Sequence, residues 1–173
     1  MSLIFLISGL FLGSGGDVTS LPRLPAGILR SSSLAGGLIN LFLGNILVGM
    51  DATTSIPLHP LAIAGFFGVI VNALGALPIG TTDGGRALLA LLGRKDFHFA
   101  QSIFFPILIL LALFGGLNSN LLFFAAFASI TQLDSEIPCR DEATELGLSR
   151  SIFAFASFFV VALAVLPIPT TGL

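Results

Sequence analysis

The chain has 173 residues, of which 55% are hydrophobic and 9% charged, with a mean hydropathy of +1.05. So apolar a chain does not read as a solvated soluble domain; it reads as a membrane protein, and a net charge of −2 without any cluster of Lys or Arg excludes a nucleic-acid surface. The single cysteine, Cys139, excludes an internal disulfide and any multi-cysteine zinc site and reads as an unpaired loop thiol.

Residues 1–16 are apolar with no basic residue ahead of them, which suits a membrane segment better than a signal peptide. The segment is short for a full crossing, as a clipped first helix would be, and suggests a chain that begins inside a larger protein. Gly9 and Gly13 within it have the small-xxx-small spacing that lets helices approach closely. Residues 17–30 form a polar loop with Pro22 and Pro25. Residues 31–50 carry no charge over about 20 positions, enough for one crossing, and Ser31, Ser32 and Ser33 suit the start of a helix. A connector, 51–59, ends at Pro57 and Pro60 and holds His59, which fits a capping or interfacial role at a span edge.

The next apolar segment is 61–77. Gly65, Gly68, Asn72 and Gly75 fall on one helical face there, nearly smooth, on which a second helix or an extended peptide backbone can lie. Asn72 is the polar group of that face, and an interhelical hydrogen bond would account for it at about 0.6 kcal/mol. Pro78 cannot continue a regular helix and Gly80 adds freedom, so the segment bends or stops just before Asp83. Broken backbone at membrane depth survives only when buried in protein or lining a wet cavity, and an ionisable residue there is a functional candidate. Asp83 admits three readings: a metal ligand, the N-cap of a helix beginning at Gly84, or the partner of Arg86.

A short helix over 84–92 is expected to end at Gly93, with Arg94 and Lys95 where cations suit the helix dipole. His98 falls in a short solvated loop, 94–98. Residues 99–133 are uncharged and read as a helical hairpin turning at 115–120, followed by an acidic loop, 134–150, and a last span, 151–168, stopped by Pro167 and Pro169. The expected fold is therefore all-α: a polytopic helix bundle of about six membrane segments forming one transmembrane domain, 1–173, without internal repeats. Loops numbered alternately put all seven Lys and Arg on one face, as the positive-inside rule asks, with Asp83 towards that face and both termini opposite.

The stretch Leu77-Pro-Ile-Gly-Thr-Thr-Asp-Gly-Gly-Arg86 resembles the second signature of the site-2 protease family of intramembrane zinc metalloproteases, Asn-x-x-Pro-x-x-x-x-Asp-Gly. It is most similar to the plastid branch first named for ethylene-dependent gravitropism deficiency and yellow-green leaves, which has cyanobacterial relatives. Ser33-Leu-Ala-Gly-Gly-Leu, Leu41-Phe-Leu-Gly44, His59-Pro-Leu-Ala-Ile-Ala-Gly65, Gly93-Arg-Lys95, Ile137-Pro-Cys-Arg-Asp141 and Leu166-Pro-Ile-Pro169 fit the same branch. The resemblance covers essentially the whole chain as the C-terminal portion of such a protein. It implies a plastid or cyanobacterial membrane, Asp83 as a zinc ligand, Pro78 as the break that brings the carboxylate to the metal, and Gly84 as the tight start of the next helix.

Two departures stand out. The position of the motif's Asn is Gly75, and Asn72, one turn earlier, is the candidate to stand in for the missing amide. The family's His-Glu-x-x-His, which supplies two imidazole ligands and the general base, does not occur; the only histidines are His59 and His98. The resemblance therefore implies either the zinc-ligand half of an intramembrane peptidase, inactive and not binding zinc by itself, or a catalytically dead relative acting as a membrane scaffold or chaperone. A small ion or proton transporter using Asp83 is a further alternative. The expected partners are the lipid bilayer and a transmembrane protein substrate.

Overall fold

The computed structural model describes residues 1–15, 21–44, 46–114, 147–166 and 168. The expected hairpin turn at 115–120, the second arm of 99–133, nearly all of the acidic loop with Cys139, and the Ile137-Pro-Cys-Arg-Asp141 match lie outside the described residues. The chain is mostly helical, in the order α1 Ser2–Gly13, β1 Arg23–Pro25, α2 Ala26–Leu29, α3 Ser33–Leu43, α4 Ile46–Gly49, β2 Ser55–Pro57, α5 Pro60–Gly75, α6 Asp83–Phe114 and α7 Leu148–Val165. It divides into two units, one of Met1–Ala73 with Ala162–Leu173 and the other of Leu74–Val161.

In the first unit α1 and α5 are in backbone contact through glycine. A Cβ placed on Gly9 would fall well inside 3.0 Å of the Ala62 backbone, one on Gly65 would do the same at Leu6, and one on Gly68 would meet Ser2 Oγ at 2.9 Å. The sequence of these contacts makes the helices antiparallel. Asn72 completes the seam, its Nδ2 donating to Ser2 Oγ at 2.9 Å and to the Gly68 carbonyl at 2.6 Å. The smooth face read from the sequence is thus covered by α1 along Gly65 and Gly68, leaving Gly75 with open space beside it. Phe66, Leu6, Leu29, Ile39 and Leu47 are fully buried and anchor the apolar core of this unit.

Helix α3 starts where Ser32 Oγ accepts from the Ala35 N–H at 3.2 Å. It ends at Gly44, whose φ of +81° is the left-handed C-cap conformation that favours glycine. Eleven residues rise about 16 Å, roughly half of a bilayer core, so α3 alone is shorter than the single crossing expected of residues 31–50. The two loops flanking this segment, moreover, form an antiparallel pair, with Arg23 opposite Pro57, Leu24 opposite Ile56 and Pro25 opposite Ser55. The chain is mostly helical as expected, and this small two-stranded sheet is the one addition found among the described residues.

The C-terminal end of α7 is tied into the same unit. The Ser33 N–H donates to the Leu166 carbonyl at 2.6 Å and the Ile168 N–H to the Arg30 carbonyl at 2.9 Å, while Ile168 fills the space beside Gly36. Among the described residues one helix, α7, is long and apolar enough to cross a membrane; α1, α3 and α5 are apolar but shorter. Six crossings are therefore not found among the described elements.

Candidate functional site

The second unit contains the proline-broken stretch and the helix that follows it. Leu77, Pro78, Ile79 and Gly80 are buried, and their backbone folds on itself: the Ile79 N–H donates to the Leu77 carbonyl at 2.8 Å and the Thr82 N–H to the Ile79 carbonyl at 3.2 Å. Gly80 takes φ +54°, which a Cβ would oppose. The start of α6 is pressed against this turn so tightly that a Cβ on Gly84 would overlap the Ala76 carbonyl and one on Gly85 the Gly80 carbonyl. The Gly-Gly pair is thus a steric requirement of the turn.

Thr82 organises the turn. Its hydroxyl lies 2.6 Å from the Leu77 carbonyl and 2.8 Å from the Ile79 carbonyl, and it accepts from the Gly85 N–H at 3.1 Å. That last bond is the N-cap interaction, made three residues into the helix, so the helix begins at Asp83 and Thr82 is its cap. Of the three readings of Asp83, the N-cap is therefore excluded. Asp83 sits in the first turn with its side chain exposed, where a carboxylate is favoured by the helix dipole, and Arg86 is exposed one turn further on. Sequence reasoning placed the helix start one residue late and missed Thr82. The available signal was a Thr directly ahead of the first helical residue.

Helix α6 is interrupted at Gly93, whose backbone is non-helical, with φ 76° and ψ 166°. The expected helix is present, beginning one residue earlier at Asp83, and its stop at Gly93 holds. The loop expected at 94–98 is instead helical, with His98 exposed and its ring edge-on to Phe97 at 5.7 Å. His59 is placed at the start of α5, where Nδ1 accepts from the Leu61 N–H at 3.3 Å, a capping contact as read from the sequence. Asn72 spends its amide N–H groups in the α1–α5 seam.

Among the described residues no group of three or more His, Cys, Asp and Glu is placed to hold a metal ion. The donor set among the described residues does not make up a complete zinc site, which takes about three protein ligands. Asp83 is the one sequence candidate whose carboxylate is exposed at a built turn, and it can supply at most one ligand.

The chain is 31% identical over 169 residues to the probable zinc metalloprotease EGY1, chloroplastic, of Oryza sativa subsp. japonica, covering 88% of this chain and 29% of the relative. It is 30% identical over 170 residues to the protein of the same name from Arabidopsis thaliana, covering 97% of this chain and 30% of that one. The Arabidopsis probable zinc metallopeptidase EGY3, chloroplastic, is 33% identical over 127 residues, 72% of this chain and 22% of the relative. The chain thus spans less than a third of the length of these relatives. No family model matches the chain, and no solved structure does.

Proposed function

We propose, for a chain homologous over most of its length to the EGY zinc metalloproteases of the site-2 type, that it carries the carboxylate-bearing half of an intramembrane metallopeptidase centre. The observation that carries this reading is the turn at 77–86. It buries its own backbone, assigns the cap to Thr82, and leaves the Asp83 carboxylate exposed. A carboxylate not taken up by the cap, on a turn held by its own backbone, is what a ligand position needs. The other ligands and the general base would have to come from a His-Glu-x-x-His segment, which does not occur in these 173 residues. Among the described residues Asp83 is the one ligand position of this kind, and the chemistry at the metal would be supplied by the complete centre.

The substrate class under this reading is a membrane-embedded protein, and the setting is a plastid membrane, after the chloroplastic relatives. Helix α7, with Phe153, Phe155 and Phe159 exposed, supports integration into a bilayer.

The test joins this chain to the upstream segment of a relative that carries His-Glu-x-x-His and measures bound zinc together with cleavage of a transmembrane substrate. Zinc bound at one equivalent and cleavage, both lost in Asp83→Ala, are the expected result. Zinc and cleavage surviving that substitution would remove Asp83 from the centre. The 173 residues alone are expected not to hydrolyse peptides.

A second reading, a non-catalytic membrane scaffold or chaperone, has one specific observation in its favour: the family signature's Asn is Gly75 here. Nothing lies within 4 Å of a Cβ built at Gly75, so packing does not demand the glycine. If the joined protein with Gly75→Asn cleaves and the one with Gly75 does not, the scaffold reading is the better one.

A further inference from the structure

The uncharged segment 31–50 is long enough to cross a bilayer, yet its two flanks are zipped together. Beyond the paired strands, the Leu58 N–H donates to the Pro22 carbonyl at 3.0 Å, the Ala26 N–H to Thr54 at 2.8 Å and the Gly27 N–H to Ala52 at 2.9 Å. Backbone hydrogen bonds of this length cannot link opposite sides of a membrane about 30 Å thick. The segment must leave and return on one side.

Its internal bonding is that of a closed hairpin. Helix α3 stops at Gly44, and the short α4 turns back. Asn40 Oδ1, buried between the arms, accepts from the Leu47 N–H at 2.8 Å. Arg30 closes the base: its Nε donates to the Leu47 carbonyl at 2.8 Å, and its Nη2 to the Leu47 and Met50 carbonyls. These are the carbonyls that a helix C-terminus leaves open, and a cation suits them. The buried Asn40 side-chain oxygen and the Leu47 and Met50 carbonyls are thereby answered from within.

The large side chains that the described residues of the hairpin present outward are apolar. Leu41 is 77% exposed, Phe42 is exposed beside it, and the Phe42 ring lies edge-on to Phe11 at 5.0 Å, next to exposed Leu12. No charged residue occurs in 1–16 or 31–50, and the aromatic side chains are Phe, without the polar tip that Tyr or Trp carries to a wet boundary.

We propose that residues 31–50 form a re-entrant hairpin, and that Phe11, Leu12, Leu41 and Phe42 are a single patch seated against lipid acyl chains. The proposal rests on the membrane reading given above. It puts the loop with Arg23 and the loop 51–59 on the same side of the bilayer.

The experiment uses the full chain with Cys139→Ser and one new cysteine at a time, in right-side-out membrane vesicles of an expression host. With Pro22→Cys and Thr53→Cys, both exposed positions, a membrane-impermeant maleimide is expected to label both from one face and neither from the other. A nitrobenzoxadiazole probe on Leu41→Cys should lose fluorescence to lipids with a doxyl group on the acyl chain and not to aqueous iodide. Labelling of the two positions from opposite faces would overturn the hairpin while leaving the membrane reading intact. Quenching by iodide, or self-quenching relieved by dilution with unlabelled chain, would overturn the acyl-chain partner in favour of water or a second copy. Release of the whole chain by alkaline carbonate would overturn both this inference and the reading beneath it.

Discussion

The α1–α5 seam and the 77–86 turn are built from the same material and used differently. Each depends on glycines with no room for a Cβ: Gly9 and Gly65 in the seam, Gly84 and Gly85 in the turn. Each holds one polar side chain that composition alone marks as a functional candidate. In the seam, Asn72 is consumed by packing, donating to Ser2 and to Gly68. In the turn, the folding task falls to Thr82, and Asp83 is left over. A polar residue in an apolar chain is thus informative only after its structural duties are counted. By that measure Asp83 is a candidate ligand and Asn72 is a structural fastener.

The largest expected effect that bears on this contrast comes from the seam. Gly65→Leu would drive a side chain into the Leu6 backbone, and overpacking of this kind is expected to cost about 3 kcal/mol or more, read as loss of unfolding free energy in detergent. Phe66→Ala, in the same unit, should cost roughly 3–5 kcal/mol through the cavity it leaves. In the turn, Gly84→Ala must displace the Ala76 carbonyl and should cost about 1–3 kcal/mol by the same measurement. If Gly84→Ala is neutral while Gly65→Leu is not, the turn is looser than described and the fixed position of Asp83 is lost with it. Asn72→Ala should cost about 0.6 kcal/mol and leave zinc binding and cleavage in the joined protein unchanged, since its amide is committed to α1. Loss of cleavage in that variant would make Asn72 the stand-in for the missing signature amide after all.

Much of the turn was legible in the sequence. Pro78 and Gly80 announced the break, and Gly93 with Arg94 and Lys95 announced the stop of the helix after it, because proline and glycine act through local backbone chemistry. The reading of Asp83 as a cap, one of three open for it, was off by one residue, since Thr82 and Asp83 are both good capping types and only geometry decides between them. The sheet was not legible. Its strands are three residues long and each ends in proline, too short for an alternating pattern to register. The hairpin was hidden for a related reason: Gly44 turns the chain in the middle of an uncharged run, and counting charges sees no boundary there.

The central claim is that Thr82 caps the helix and Asp83 is unspent. It is tested most directly by comparing unfolding free energies of Thr82→Ala and Asp83→Ala in this chain, with no metal present. The account predicts a loss of about 1 kcal/mol for Thr82→Ala, with backbone amide exchange at Gly85 accelerated, and a smaller loss for Asp83→Ala without that acceleration. The reverse order, with Gly85 exposed by removing Asp83 and protected without the Thr82 hydroxyl, would contradict it.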